Sequence, residues 1–185
     1  MAHYSGHVGR GARAPAWIIR AAAALCAAAL LLCGAARSAR AAAPPNDDLA
    51  NAQSVAVGDT ETLDTSMATT DPDGADRDLI SQCFSGPTDA SVWYELTPTT
   101  DGTVWVSALQ SSYSTVIAVG TDMGGTLQAV SCGGGVASFD ATAGTTYFIV
   151  VADDQADGGG NGGELVISFE DTPPPPPTLA ITVDP

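Results

Sequence analysis

The sequence contains no lysine, and its only histidines, His3 and His7, lie at the extreme amino terminus. Arginine is scarce too: five of the six basic residues (Arg10, Arg13, Arg20, Arg37 and Arg40) fall in the first forty residues, leaving Arg77 alone among all 21 acidic ones. Nucleic-acid affinity rests on Lys and Arg displacing counterions from phosphates, so DNA and RNA are excluded as partners. A Ser or Cys nucleophile is activated by a neighbouring His or Lys, and beyond residue 7 neither occurs. Zinc hydrolysis lacks its imidazole ligands for the same reason. Paired carboxylates can cleave glycosides, but among so many acids nothing singles out a pair such as Asp153 with Asp154, or Glu164, as catalytic. The chain is therefore expected to be non-catalytic.

A long apolar run is also missing. The uncharged stretch Ala21–Ala36 has 16 residues, short of the roughly 20 that span a bilayer as a helix, so no stable membrane anchor is expected. Preceded by arginines and followed by small residues, it has the layout of a secretory signal peptide. Ala39-Arg40-Ala41 supplies the cleavage motif, with Ala43 as a second candidate, which assigns 1–41 to the signal and starts the exported chain between Ala42 and Pro44. A lipoprotein reading of Cys33 is disfavoured by Leu32, which stands where a small residue is required. The expected destination is the exterior of a bacterial cell.

Two of the four cysteines leave with the signal. Cys83 and Cys132 remain, and two thiols in an oxidising compartment predict one disulfide. They form no C-x-x-C pair and have no nearby Lys, Arg or His to lower a thiol pKa, which argues against a redox role.

What is present in quantity is short-period alternation. In Ser91–Pro98, Val92, Tyr94 and Leu96 share one face while Trp93 and Glu95 take the other. The pattern recurs with Val104, Val106 and Ala108, with Tyr147, Ile149 and Val151, and with Leu165, Ile167 and Phe169. Shorter runs lie at 115–120, 126–132 and 136–141, and turns are marked by Asp101-Gly102, Gly124-Gly125 and Ala143-Gly144. No long segment has a helical period. Strands at this spacing predict an all-β, antiparallel β-sandwich in a single domain over 44–171. Asn46–Val55 is expected to add a short helical turn or loop before the first strand. Pro173–Pro177 reads as a polyproline spacer within a linker over 172–177, and Thr178–Val183 as a fresh strand opening a further or truncated domain at 178–185.

Three constellations are candidates for binding. Calcium needs several converging oxygens, which Asp47 and Asp48 offer near the start, and Asp153, Asp154 and Asp157 offer in the glycine-rich segment that follows. The simpler alternative makes the first group helix caps and the second a hairpin, and solubility outside the cell is the plainer reason for the acidity. Trp93, Trp105 and Phe148 form the third set, placed by alternation opposite the face of Tyr94 and Tyr147. On an exposed face these rings would stack on sugars or grip a protein; the favoured alternative packs them under a loop or in a corner of the sandwich.

From Pro44 to about Glu170 the chain resembles the bacterial pre-peptidase C-terminal (PPC) domain. The matching segments are PPNDDLANAQ, SVWYELTP followed by DGTVWVSA, SSYSTVIAVGTD, and ASFDATAGTTYFIVV. The resemblance implies a jelly-roll-like sandwich and a non-catalytic accessory role beside secreted enzymes, in targeting, binding or maturation, with collagen and calcium bound in some collagenase relatives. Where many relatives carry an acidic residue in the middle segment this chain has Tyr113, Ser114 and Thr115, which weakens transfer of a metal site to that loop. The alternative function is a stand-alone extracellular adhesion or ligand-binding protein, gripping a polysaccharide or protein polymer with or without calcium. A multidomain secreted protein is the expected context of the first reading.

Overall fold

The computed structural model describes residues 42–71, 74–158 and 160–176, without the side chain of Asp157. The signal peptide expected over 1–41 and the strand expected at Thr178–Val183 lie outside the described residues. Among the described residues, nine strands form two sheets: β1 Gln53–Val55, β2 Thr60–Asp64, β3 Thr88–Leu96, β4 Gly102–Ser107, β5 Thr115–Asp122, β6 Leu127–Gly134, β7 Val136–Ala141, β8 Tyr147–Asp154 and β9 Glu164–Glu170. The five-stranded sheet runs β1-β3-β8-β5-β6 and the four-stranded sheet β2-β9-β4-β7. Every pairing is antiparallel except β1 with β3. The all-β sandwich read from the alternation is thus the fold.

The inner faces meet through the residues that the alternation selected. Val92, Tyr94, Leu96, Ile117, Val119, Ile149 and Val151 from one sheet pack on Val104, Val106, Phe139, Leu165, Ile167 and Phe169 from the other. Tyr94 stacks across the sandwich on Phe169, with ring centroids 5.5 Å apart.

The two outer faces differ, and their sequences say why. Strands β3, β5 and β8 are apolar on both sides, and Trp93, Val116, Ala118, Val150 and Ala152 point away from the core into a second buried cluster. A sheet of this kind has to be covered on its outer side as well. The cover is a single turn at Leu49–Asn51 and a six-residue helix, α1, at Ala75–Ile80. Leu79 and Ile80 are buried on it, and Gly120 of β5 leaves room for Leu79, since a Cβ there would sit 2.8 Å from its Cδ1. Strands β4, β7 and β9 instead alternate strictly, with Thr103, Trp105, Ser107, Ser138, Asp140, Val166, Ser168 and Glu170 outward. The four-stranded sheet is of the one-sided type.

The cover is fastened at the edge of the larger sheet. Cys83, just past α1, is disulfide-bonded to Cys132 of β6, with Cα atoms 5.6 Å apart. The neighbouring Gln82 accepts from the Ala129 amide at 2.9 Å and donates to the Leu127 carbonyl at 3.0 Å. It thereby satisfies backbone groups that an edge strand would otherwise present to another chain.

The short helix α1 and the strands β1 and β2 were not anticipated, and each is short or polar. The bridge at the start is a 3-10 turn, within the turn or loop expected there.

Two predictions follow from the packing. Replacing Cys83 and Cys132 by Ser opens a loop with a sequence separation of 49, and urea unfolding should report a loss of about 4 kcal/mol, as chain entropy gives for such a loop. Burial pushes the phenols of Tyr94 and Tyr113 up, against weaker lowering by Asn46 and Thr65 respectively. A folded-state value above the unfolded one, about 10, stabilises fully below that pH and is lost as pH rises through the folded value. Stability followed by circular dichroism should therefore fall above about pH 10, and the fall should be shallower in a Tyr94→Phe, Tyr113→Phe double variant.

Candidate functional site

The second buried cluster is organised by one carboxylate. Asp76, in the first turn of α1, is only 5% exposed. Its Oδ1 accepts a short hydrogen bond from the Trp93 indole N–H, and its Oδ2 accepts from the Ser91 hydroxyl and the Asp71 amide, both at 2.9 Å. Ser91 is presented by a bulge between Asp89 and Val92, where Ala90 takes a positive φ of 51°. The Ser91 oxygen also lies 2.9 Å from the Thr69 carbonyl. Thr69 in turn donates from its amide and hydroxyl to the two oxygens of Asp47, at 2.7 and 2.8 Å. Asn46 completes the belt by accepting from the Trp93 amide and donating to the Trp93 carbonyl.

This belt corrects the aromatic constellation. Trp93 is fully buried, its polar edge held by Asp76, so it cannot stack on a ligand. Phe148 is half-buried and packs with Trp93 under the cover of the larger sheet, beside Leu49 and Leu127. Trp105 belongs to the other sheet and the opposite side of the sandwich. Alternation gave each ring its face correctly. It could not tell that the faces belong to different sheets, because strand order is not contained in the period.

The calcium expectation fares no better on its donors. Both oxygens of Asp47 are taken by Thr69. Asp48 stands at the cap of the first turn without a side-chain hydrogen bond to it, so the helix-cap alternative does not describe it either. Asp153 is buried, not displayed on a loop, and accepts from the Gly162 amide and the Gln155 side chain. Asp154 accepts from the Ala156 amide. The side chain of Asp157 lies outside the described residues. Among the described residues, no three acidic, histidine or cysteine side chains converge as a metal ion requires.

What remains open is the outer face of the four-stranded sheet. Trp105 sits mid-strand on β4, between Ser138 of β7 and Glu170 of β9. It is half-buried, and its indole N–H has no protein partner among the described residues. Two clefts lie toward the two ends of β4, and Trp105 itself lines neither. One, of about 320 Å³, is formed mainly by the loop 97–102 with Ala56, Val57, Thr103 and Asp171; the other, of about 260 Å³, contains Ser107, Gln110, Ser168 and Glu170, with Pro173–Pro175 as a wall. Thr103 is oriented by donating to Asp140 at 3.0 Å. A flat aromatic surface between hydroxyls, an amide and carboxylates can stack on an apolar ring face while exchanging hydrogen bonds around its rim.

The polar surroundings of Trp105 were legible in the strict alternation of β4, β7 and β9. The two clefts were not, because Asp171 and the proline segment reach the face only through the fold.

No protein-family model matches the chain and no curated protein is significantly similar to it.

The belt makes a direct prediction. Asp76→Ala removes the acceptor of the buried Trp93 indole and of the Asp71 amide, leaves the Ser91 hydroxyl only the Thr69 carbonyl, and should lower stability by about 2–4 kcal/mol, whereas Asp76→Asn keeps one acceptor oxygen and should cost less. Urea unfolding compares the two, and the Trp93 emission should move to the red in the alanine variant.

Proposed function

We propose that this chain is an exported, non-catalytic accessory module of the PPC kind, which holds an associated secreted bacterial enzyme on extracellular material. One observation carries this reading: the two tryptophans of the sandwich are treated oppositely. Trp93 is sealed and hydrogen-bonded, as a structural ring should be, while Trp105 stands on the uncovered sheet with its N–H unpartnered among the described residues. A partly exposed aromatic ringed by polar side chains has no packing task that Val or Thr would not serve as well on a one-sided sheet.

The residue inventory points the same way. Beyond residue 7 there is no imidazole or ammonium group to act as a base at neutral pH, so a binding role suits this chain better than acyl transfer or hydrolysis. The proline run after β9 suits attachment to a neighbouring domain, since a polyproline spacer keeps two bodies apart at little entropic cost. Binding is proposed to proceed without calcium, because three of the candidate carboxylates, Asp47, Asp153 and Asp154, are engaged in hydrogen bonds that hold the fold.

Depletion of the full chain from solution by insoluble collagen, cellulose, chitin and peptidoglycan tests this. Saturable binding to at least one polymer, unchanged by chelator, is the expected result. Absence of binding to all four overturns the targeting role, and loss of binding in chelator overturns the metal-free part.

A further inference from the structure

The proposed function leaves the polymer unspecified, and the chemistry of the Trp105 face narrows it. We infer that this face is a binding platform for an uncharged polysaccharide, laid along β4 across Trp105 with its flanking sugars in the two clefts. The inference rests on the targeting role proposed above and names its ligand class.

Three observations select a glycan. The first is the spacing of functional groups. Thr103, Trp105 and Ser107 are alternate residues of one strand, so their side chains follow one another at about 7 Å, and each terminal hydroxyl belongs to one of the clefts. A linear polymer meets this row with repeated contacts, where a compact ligand would meet only one. The second is the kind of group. Ser138 and Glu170 are the strand neighbours of Trp105, and Ser168, Gln110 and Glu170 line the adjacent cleft; such donors and acceptors beside an aromatic ring suit the hydroxyls of a pyranose whose C–H face lies on the ring. The third is what the face lacks. The outward apolar residues of its strands besides Trp105 are Val136 and Val166, and the first cleft adds only Ala56, Val57 and Pro98. A protein partner is usually gripped by a cluster of aromatic and aliphatic anchors with arginines, and no such cluster is present here.

Charge separates neutral from anionic glycans. Asp64, Asp140, Glu164, Glu170 and Asp171 lie on or beside this face. The single Arg77 is on α1, which covers the opposite sheet. A uronate or sulfated polymer would be repelled, most strongly at low ionic strength.

Affinity electrophoresis of the full chain, in gels containing hydroxyethyl cellulose, glycol chitin, a neutral mannan, polygalacturonate or soluble collagen, tests the inference. Retardation is expected in at least one neutral glycan and in neither polygalacturonate nor collagen. Trp105→Ala should weaken that retardation about tenfold or more, as loss of an aromatic anchor does, and Glu170→Gln, which keeps the side chain's size, about threefold. Unchanged melting temperatures keep folding out of the comparison. With retarding glycan, the Trp105 emission should shift to the blue and Trp93 should contribute nothing to the change.

Retardation by polygalacturonate, or a Trp105→Ala variant that binds like the parent, overturns the inference. Binding to collagen alone also overturns it while leaving the targeting role intact. Retention by no soluble polymer and no insoluble one removes both.

Discussion

The five-stranded sheet is apolar on both sides, and most of the remaining architecture answers that one constraint. Its inner side is satisfied by the four-stranded sheet. Its outer side would expose Trp93, Val116, Ala118, Val150 and Ala152 to water, each at a cost on the order of 1–3 kcal/mol, and these residues are instead buried. The short helix, the amino-terminal turn and the disulfide all serve that burial. None of them is long enough to be stable alone: a six-residue helix is far below the length at which helices persist in water. They hold because the surface beneath them has nowhere else to go.

Polar groups had to enter this second cluster for the cover to be fixed in one position. With one arginine beyond the amino-terminal segment, and that one exposed, buried carboxylates such as Asp76 are met by neutral donors instead of ion pairs. Asp76 draws three donors from Trp93, Ser91 and Asp71, and Asp153 is met by Gly162 and Gln155. Hydrogen bonds of this kind are directional where apolar contact is not, so they set the position of the helix and the register of the segments leading to it. The scarcity of cationic side chains thus also shapes the interior.

Covering one outer face leaves the other free. The four-stranded sheet needs no cover, since its outward residues are already soluble, and this gives the sandwich an inside, a sealed side and an open side. Trp105 is the single large ring on the open side. Its exposure is an outcome of which sheet β4 joins: the same residue on β3 would have been buried with Trp93.

The strands of the core, the sandwich class and the pairing of Cys83 with Cys132 were all legible in the sequence, because a period of two and a count of two cysteines beyond the amino-terminal segment are facts of residue type and position with few structural consequences. The strands β1 and β2 were not, being three residues long in one case and Thr-rich and charged in the other. Nor was α1, whose helical state comes from the surface under Leu79 and Ile80. The acidic groups near Asp47 and Asp153 drew attention as possible metal ligands because composition shows charges without their partners, and Asp47 finds its partner Thr69 22 residues away. The grouping of Trp93 with Trp105 and Phe148 failed for a related reason. By itself the sequence determined which residues face inward, that Cys83 and Cys132 pair, and which chemistries lack their reactive groups, since each depends on residue type and local periodicity alone. Only the tertiary structure decided which sheet each strand joined, and so which tryptophan is sealed and which meets solvent, because strand order is set by long-range packing that no local pattern contains.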